Sequence, residues 1–507
     1  MNRLTLKWGA GMMAAMLAAA SLAGCGSSDS GGEAAPSAGS SPAPTAAGSA
    51  KPELSPVELS WYFPLPAIPA DMQVVEDAVN KLLKEKINAT VKLKPQAMGD
   101  YQQKMNVVAA SGEKFDLAWT SNWSFDYIKN ASTGAFLPLD DLLKQYAPEV
   151  LKSMPDFVWN ATKYKGKIYG IPNYQTVTGR EGFVVRKSYA DKYGLDAASI
   201  KKYEDIEPFL ERVKKAEPNM IPFAYSKSSS PPIYALGIQS VAAGSFIRIN
   251  DPNLTVVAKI GSPESDKYIE TQRRWYLKGL INEDAAIAKT DDEVIKTGKA
   301  VSMFHTVLAA DAAATYKTKF KEDVVIIPIT GYSVTTNSII TTMNAISRTS
   351  PNPERAAMFL NLINTDKEIY NLLVYGIEGK HYKKISDNVV EPIAGSAYNH
   401  NTSWVLGNTF NAYLTPDKDQ AMVDQIKKDN ESATPSPLMG FYFDPDKVSA
   451  EIAAVNSVAS QYGSLLNSGA EDPAVKLQEY KTKTEQAGIA KIMADAQRQL
   501  DEWRKTK

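Results

Sequence analysis

The chain has 507 residues, with 56 Lys and Arg against 57 Asp and Glu, one Cys and three His. Its near-neutral charge, without a dense basic run interleaved with aromatics, argues against a nucleic-acid partner. A single cysteine cannot form an intramolecular disulfide, and the scattered histidines lack the spacing of a zinc site. The sequence therefore predicts no metal site and no bound cofactor.

The first residues have the pattern of an export signal. Arg3 and Lys7 give it a positive start, and an apolar stretch follows at 8–22, which is too short for a comfortable membrane span. The run Leu-Ala-Gly-Cys at 22–25 resembles the bacterial lipobox, in which only a thiol can form the thioether to diacylglycerol. We expect Cys25 to be lipidated; the alternative is an ordinary cleaved secretory signal followed by an incidental cysteine.

Residues 26–56 consist largely of Gly, Ser, Ala and Pro. Such a composition cannot bury enough apolar surface to offset its ordering entropy, so we expect a disordered tether. Two or three acyl chains hold a protein firmly on a bilayer. The sequence therefore predicts a globular part that is lipid-anchored to the outer, extracytoplasmic face of the cell membrane.

Beyond the tether, short apolar runs alternate with helical patterns, which predicts an α/β fold. The globular part is too long for one hydrophobic core, so two or more lobes are expected. Strands are predicted at 57–63, 90–94, 115–119, 182–186, 300–304, 324–328 and 344–346. Helices are predicted from about 72, at 99–111, 203–216, 268–278, 291–299 and 353–364, and from about 445 to 503.

Several segments, taken in order, resemble the extracellular solute-binding proteins that serve ABC importers. They are the lipobox and the segments 115–119, 134–142, 166–172, 186–195, 351–364, 375–382 and 497–503. Their combination is similar to the long oligosaccharide-binding branch of Gram-positive bacteria, which carries an additional C-terminal domain. The resemblance implies a periplasmic-binding-protein-like fold, with two α/β lobes around a ligand cleft and a helical C-terminal addition.

The resemblance also implies a domain organisation, in which the chain crosses between the lobes near 171–178, 304–306 and 342–346. The expected parts are a signal peptide at 1–24, a lipidated cysteine and tether at 25–56, an N-terminal lobe at 57–172 plus about 305–345, and a C-terminal lobe at about 173–304 plus 346–507. It further implies an oligosaccharide ligand, permease subunits as membrane partners, hinge closure of the lobes and a monomer.

A sugar ligand needs aromatic faces for the C–H side of a pyranose and planar polar groups for its hydroxyls. Ligands of open α/β sheets bind beyond the carboxyl ends of the strands, so aromatics near those ends are the stacking candidates: Trp61, Tyr62, Trp119, Trp123, Tyr174 and Trp404. The polar candidates in nearby loops are Asn122, Asn173, Arg180, Glu181 and Glu378, the last between glycines that allow a sharp backbone turn. Phe304 and His305 fall where a returning strand is expected to meet the cleft. Core packing or a solvated loop position is the alternative for each.

The sequence alone leaves other classes of function open. A peptide would suit an aromatic cleft, with its backbone held by main-chain hydrogen bonds. A surface glycoside hydrolase needs two carboxylates across one bond, and no motif singles out such a pair; no Gly-x-Ser-x-Gly elbow is present either. We therefore predict no catalytic residues and no enzyme. A sensory lipoprotein of the same fold would differ only in its membrane partner.

Overall fold

A computed structural model describes residues 54–506. The predicted signal peptide, Cys25 and nearly all of the predicted tether lie outside the described residues. Two separate mixed sheets form the centres of two lobes, which we call the first and the second lobe.

The first lobe is built on a five-stranded sheet. Its strands lie in the order Ala89–Ala97, Val57–Leu65, Leu117–Thr120, Met343–Ile346 and Ile171–Pro172. The first three are parallel, and Met343–Ile346 runs antiparallel to both of its neighbours. The carboxyl end of Leu117–Thr120 therefore lies beside the start of Met343–Ile346.

Helices and two hairpins complete the first lobe. The helices are Met72–Ile87, Tyr101–Ser111, Tyr127–Ser132, Asp140–Tyr146, Pro148–Lys152, Asp156–Thr162, Thr336–Ile339, Pro353–Thr365, Lys367–Tyr375 and Ser403–Leu406, with the 3-10 turn Thr409–Asn411. The hairpins pair Lys163–Tyr164 with Lys167–Ile168 and Tyr382–Ser386 with Val389–Pro392. One hydrophobic core joins this sheet to helices as late in the chain as Ser403–Leu406.

The second lobe is built on a four-stranded sheet. Its order is Val324–Pro328, Arg180–Arg186, Ala300–Leu308 and Ile221–Phe223. Its helices are Lys187–Lys192, Glu207–Ala216, Pro263–Leu277, Asp291–Lys296 and Ala312–Phe320, with 3-10 turns at Ala197–Ser199 and Tyr203–Ile206. Local chemistry sets some of these bounds: the Ser262 side chain accepts a hydrogen bond from the Ser265 N–H, and Pro263 occupies the first turn, so the long helix starts there.

The chain ends in a C-terminal addition, which we define as residues 438–506. It contains the 3-10 turn Asp446–Val448 and the helices Ser449–Asn467, Pro473–Gln486 and Ile489–Arg504. Tyr462 and Leu466 pack into the core of the second lobe. Leu500 packs against Ile247 of a small sheet, whose strand order is Val257–Ala258, Ser245–Arg248 and Ile238–Ser240. The addition is therefore mounted on the second lobe.

Three neighbouring segments connect the lobes. The first leads from Ile171–Pro172 to Arg180–Arg186, the second from Val324–Pro328 to Met343–Ile346, and the third follows the helix Gln420–Ser432. In the middle, Gly179 and Ser333 exchange backbone hydrogen bonds, and Ser333–Val334 pairs in parallel with Thr434–Pro435. We call residues 177–179, 333–334 and 434–435 the hinge strands.

The structure corrects the predicted lobe boundaries. Val324–Pro328, expected in the N-terminal lobe, pairs with Arg180–Arg186 of the second sheet. Met343–Ile346 lies in the first sheet, in agreement with the expected boundary at about 345, whereas Pro353–Thr365 packs in the first core instead of the expected C-terminal lobe. Residues 304–306 do not cross between lobes, because they lie within the strand Ala300–Leu308. Sequence patterns indicate strands, but partners distant in the chain decide which sheet each strand joins.

Candidate ligand-binding site

The edge of the first lobe that faces the connecting segments carries three tryptophans. The Trp119 ring centroid lies 5.3 Å from that of Trp123 and 5.9 Å from that of Trp404. Trp123 and Trp404 are 6.3 Å apart with their planes inclined by 49°. The three side chains come from the strand Leu117–Thr120, the loop after it and the helix Ser403–Leu406. We call this cluster the tryptophan platform.

Hydrogen bonds fix the platform in place. The Trp119 indole N–H donates to Thr342 Oγ1 over 2.8 Å, and the Trp123 indole N–H donates to the Thr341 carbonyl over 3.0 Å. Trp119 is fully buried, Trp404 is partly buried, and Trp123 is 51% exposed. No other Phe, Tyr or Trp of residues 54–506 is exposed. A rigidly held, open indole face is the feature that stacking on a ligand requires.

Asn122, Asn173 and Tyr174 lie at the same edge but differ in their environment. The Asn122 amide donates to the Asn337 carbonyl over 3.1 Å and remains partly accessible. Asn173 is buried, and its amide donates to Thr342 Oγ1 and to two main-chain carbonyls, so it has a structural role. Tyr174 is also buried and packs against Phe410 at 5.3 Å.

The structure corrects the prediction for Trp61 and Tyr62. Trp61 is fully buried, and its indole N–H donates to Asn344 Oδ1 over 2.9 Å. Tyr62 is 4% exposed and donates to Glu113 Oε1 over 3.1 Å. Both lie inside the strand Val57–Leu65, which extends beyond the predicted end at 63, so neither reaches the loop that faces the cleft.

The facing edge of the second lobe presents polar groups at the start of Arg180–Arg186. The Arg180 guanidinium lies 4.7 Å from the ring centroid of Tyr332 in the second connecting segment. Glu181 is 1% exposed and accepts a 2.7 Å hydrogen bond from the Ala235 N–H. No described residue hydrogen-bonds Arg180 Nε or Glu181 Oε1. Burial raises the pKa of the Glu181 carboxyl to about 7.

Further along this edge lies a polar cavity of about 240 Å³. Ser229 and Asp291 line one side of the cavity, and Asp291 Oδ1 accepts hydrogen bonds from Ser229 over 2.5 Å and from the buried Ser226 over 2.6 Å. His305 and Tyr316 lie on another side with their rings 5.7 Å apart, and burial lowers the pKa of His305. This arrangement supplies hydroxyl, carboxylate and imidazole groups for a hydroxyl-rich ligand.

Two predicted site residues have other surroundings: Phe304 packs mainly in the hydrophobic core, and Glu378 lies away from both edges. Phe304 also contributes to the lining, yet it is 8% exposed and its ring packs at 5.0 Å from those of Phe183 and Tyr203, so it belongs mainly to the core. Glu378 is exposed in the loop after Lys367–Tyr375. Among the described residues, no hydrogen bond or ring contact connects Glu378 to the tryptophan platform.

Several residues of the second edge could not be predicted from the sequence. Asp291 was interpreted only as the start of a helix, which it also is, and Tyr316, Tyr332 and Ser229 were not singled out. The polar run at 228–230, which begins five residues after the strand Ile221–Phe223, was the available signal for Ser229. The others come together only through the fold.

Residues 54–506 offer no cluster of three or more His, Cys, Asp or Glu side chains placed to hold a metal ion. Within the same residues, no helix combines the length and apolarity needed to cross a membrane.

Comparison with protein families gives two matches along the chain. The model described as bacterial extracellular solute-binding protein matches residues 66–369. A domain of unknown function, DUF3502, matches residues 437–505, which corresponds closely to the C-terminal addition.

Individual relatives agree with the first match. A carbohydrate ABC transporter substrate-binding protein of Streptococcus pneumoniae is 30% identical over 439 residues, covering 84% of this chain and 87% of that protein. Lipoprotein LipO of Bacillus subtilis is 25% identical over 410 residues, covering 75% of this chain and 74% of that protein.

The structure is similar to the crystal structure of the N-glycan transport solute-binding protein NgtS from Streptococcus pneumoniae. The TM-score is 0.76 at 29% identity, covering 89% of this chain and 99% of that chain. Complexes of NgtS with Man1GlcNAc and Man5GlcNAc match with TM-scores of 0.64 and 0.61, at 27% and 29% identity, each covering 89% of this chain and 100% and 99% of theirs. These comparisons confirm the predicted family, the two-lobed fold and the prediction that the protein is not an enzyme. The chain belongs to the bacterial extracellular solute-binding protein family.

Proposed function

We propose that this protein captures an oligosaccharide between its two lobes and delivers it to the permease subunits of an ABC importer. The observation that carries the proposal is the tryptophan platform: Trp123 is the exposed aromatic of the described chain, and it is held at the cleft edge by a hydrogen bond. The relative that is 30% identical is a carbohydrate ABC transporter substrate-binding protein, and NgtS has been crystallised with two glycans.

Each lobe contributes a different kind of contact. The platform of the first lobe supplies an apolar face for the C–H side of a sugar ring. Arg180, Asp291 and His305 of the second lobe supply charged or polar partners for hydroxyls, which are strong hydrogen-bonding groups in a closed, water-poor cleft. A sugar in contact with both edges stabilises the closed arrangement because it binds that arrangement better than the open one.

The hinge strands give this capture a mechanical basis. Three short segments connect the lobes, and their pairing is limited to a few main-chain hydrogen bonds. Bending of such segments closes lobes as rigid bodies while each core stays intact. The closed form is the one that the permeases would recognise.

Anchoring completes the proposed function. Lipidation of Cys25 would hold the protein at the outer face of the membrane, with residues 26–56 as the tether; the relative LipO is a lipoprotein. We expect Cys25→Ala to release the protein from the membrane fraction into the medium without changing ligand affinity. Retention of the variant in the membrane fraction would contradict lipidation at this residue. We also propose that the protein acts as a monomer, because one chain supplies both edges of the cleft.

The test uses the soluble chain from residue 51 onward. Its thermal unfolding is followed against a panel of oligosaccharides and a mixed peptide pool, and the sugars are analysed by mass spectrometry after long incubation. We expect a saturable rise of the melting temperature with a glycan that is recovered intact, since a ligand that binds only the folded state stabilises it. A response to peptides alone would overturn the proposed ligand class, and a shortened glycan would identify an enzyme.

A further inference from the structure

A cavity of about 780 Å³ lies between the first lobe, the second connecting segment and the C-terminal addition. The first lobe contributes Tyr164 and residues of the helix Tyr127–Ser132 to the cavity wall. The second connecting segment contributes Thr335, Thr336, Asn337 and Ile340. The addition contributes residues 441–446, and the small sheet contributes Ser240. Ligand pockets in proteins have volumes of roughly 300–1,000 Å³, so this cavity has the size of a binding site.

The cavity adjoins the tryptophan platform. Asn122 lies in its wall, and Trp123 is the next residue in the chain. The Asn122 N–H donates to the Ile340 carbonyl over 3.1 Å, while the Trp123 indole donates to the neighbouring Thr341 carbonyl. The hydrogen bonds between residues 121–123 and residues 337–341 therefore form the boundary between the platform and the cavity, and we call this boundary the seam.

The wall has the mixture of groups that carbohydrate recognition requires. Aromatic rings come from both sides, with Tyr164 on the first lobe and Phe443 on the addition. Phe441 also lines the wall, but it is 8% exposed and packs against Trp503 at 5.5 Å, so it belongs mainly to the core. Between the two sides, no described residue hydrogen-bonds the side chains of Asn337 or Ser240, and both residues are exposed. Flat apolar faces with unpaired planar amide and hydroxyl groups suit a hydroxyl-rich ring.

The start of the addition is fitted closely to the first lobe at this place. The Tyr442 hydroxyl donates to the Ala161 carbonyl, and the Gly440 N–H donates to Thr336 Oγ1 over 2.8 Å. Gly440 has a φ of 82°, and an added Cβ would lie 2.8 Å from the Asn160 carbonyl oxygen, so a larger residue would not fit. The addition is thus held against the first lobe by its first residues, although its helices are mounted on the second lobe.

We infer that this cavity is an extended carbohydrate subsite, in which the C-terminal addition binds the distal residues of a long or branched oligosaccharide. The inference rests on the proposed function and deepens it. Sugar residues nearest the cleft stack on the tryptophan platform, and residues beyond them pass the seam at Asn122 and enter the cavity. The addition thereby selects for glycans that are too large for the cleft between the two sheets.

The test compares two glycan probes of different size, Man1GlcNAc and Man5GlcNAc, by isothermal titration calorimetry. Ser240→Trp places a bulky ring in the cavity at an exposed position, so the fold should be retained; circular dichroism and the melting temperature check this. The matched control is Ser457→Trp, since Ser457 is an exposed serine of the addition outside the cavity. A second variant, Asn337→Ala, removes an unpaired amide without adding volume.

We expect Ser240→Trp to weaken Man5GlcNAc binding at least about tenfold, corresponding to about 1.4 kcal/mol, while Man1GlcNAc binding stays within twofold of wild type. Asn337→Ala should give a smaller loss with the same preference, and Ser457→Trp should change neither affinity. Equal effects of Ser240→Trp on both probes, or no effect on Man5GlcNAc, would overturn the inference. Wild-type protein that binds neither these probes nor any member of the oligosaccharide panel would instead contradict the proposed oligosaccharide function.

Discussion

At the first-lobe edge of the cleft, two of the three platform tryptophans have paired indole N–H groups, whereas the second-lobe edge carries buried polar atoms without partners among the described residues. The indole N–H groups of Trp119 and Trp123 both have hydrogen-bond acceptors. Arg180 Nε and Glu181 Oε1 have none among the described residues. This difference indicates that one lobe provides a preformed apolar face and the other provides hydrogen-bonding capacity that a ligand completes.

The largest effect is expected from the network beneath the platform. Asn344 accepts a hydrogen bond from the Trp61 indole and donates to Asn173 Oδ1, both over 2.9 Å and both buried. Asn344→Ala would leave these two groups unpaired, so the free energy of unfolding should fall by about 3–4 kcal/mol. Urea denaturation measures this change. Asn337→Ala is the matched control, because the Asn337 side chain is exposed and has no hydrogen-bond partner among the described residues; a similar loss in both variants would contradict the role given to the buried network.

The stability of the protein should depend on pH through Glu181, which lies at the second-lobe edge. Glu181 has a folded-state pKa of about 7, raised by burial from 4.5. The folded protein therefore holds a proton between these pH values that the unfolded chain has lost, and stability falls as pH rises from about 4.5 to 7. Glu181→Gln cannot lose that proton, so its stability relative to wild type should increase by roughly 2–3 kcal/mol across this window. Chemical denaturation at pH 4.5 and pH 8 tests this, and a difference that does not change with pH would refute it.

Removal of the exposed platform ring should act on binding instead of stability. We expect Trp123→Ala to weaken oligosaccharide binding by about 2 kcal/mol, or roughly 30-fold, with a small change in melting temperature. Leu277→Ala is the matched control, since Leu277 is 68% exposed on a helix of the second lobe. If calorimetry shows that Trp123→Ala binds the oligosaccharide with unchanged affinity, the first-lobe edge is not part of the binding site.

The smallest expected effect is at the hinge. The Arg180 guanidinium over the Tyr332 ring connects the second sheet to the second connecting segment. A double-mutant cycle with Arg180→Met and Tyr332→Leu should give a coupling energy of roughly 0.5–1 kcal/mol. Additive effects of the two substitutions would show that this pair does not couple.

The sequence predicted the elements of the fold well because apolar periodicity is a local property. Strands such as Val57–Leu65 and helices such as Pro353–Thr365 lie where the pattern placed them. The lobe to which Val324–Pro328 belongs was not predictable in this way, because its partner is the distant strand Arg180–Arg186. Only the general order of the segments pointed to the family.

The candidate site was predictable only in part, for a related reason. The position of Trp123 after a short strand could be predicted from the local pattern, and its contact with a ligand stays a prediction. The position of Trp61 could not be predicted in this way, because the strand Val57–Leu65 continues past its predicted end and its last five residues, which include Trp61, are all buried. The pairing of Asp291 with Ser229, and the approach of Trp404 to Trp119, join residues far apart in the chain. Local patterns contain no information about such contacts.

The central claim is that a glycan covers the Trp123 face when the lobes close, and acrylamide quenching of tryptophan fluorescence tests it most directly. Trp123 is 51% exposed, while Trp61, Trp119, Trp159 and Trp275 are buried. We predict that a saturating oligosaccharide lowers the quenchable fraction in the wild-type protein and leaves it unchanged in Trp123→Phe. A glycan that saturates the protein without reducing the quenching of Trp123 would contradict the account.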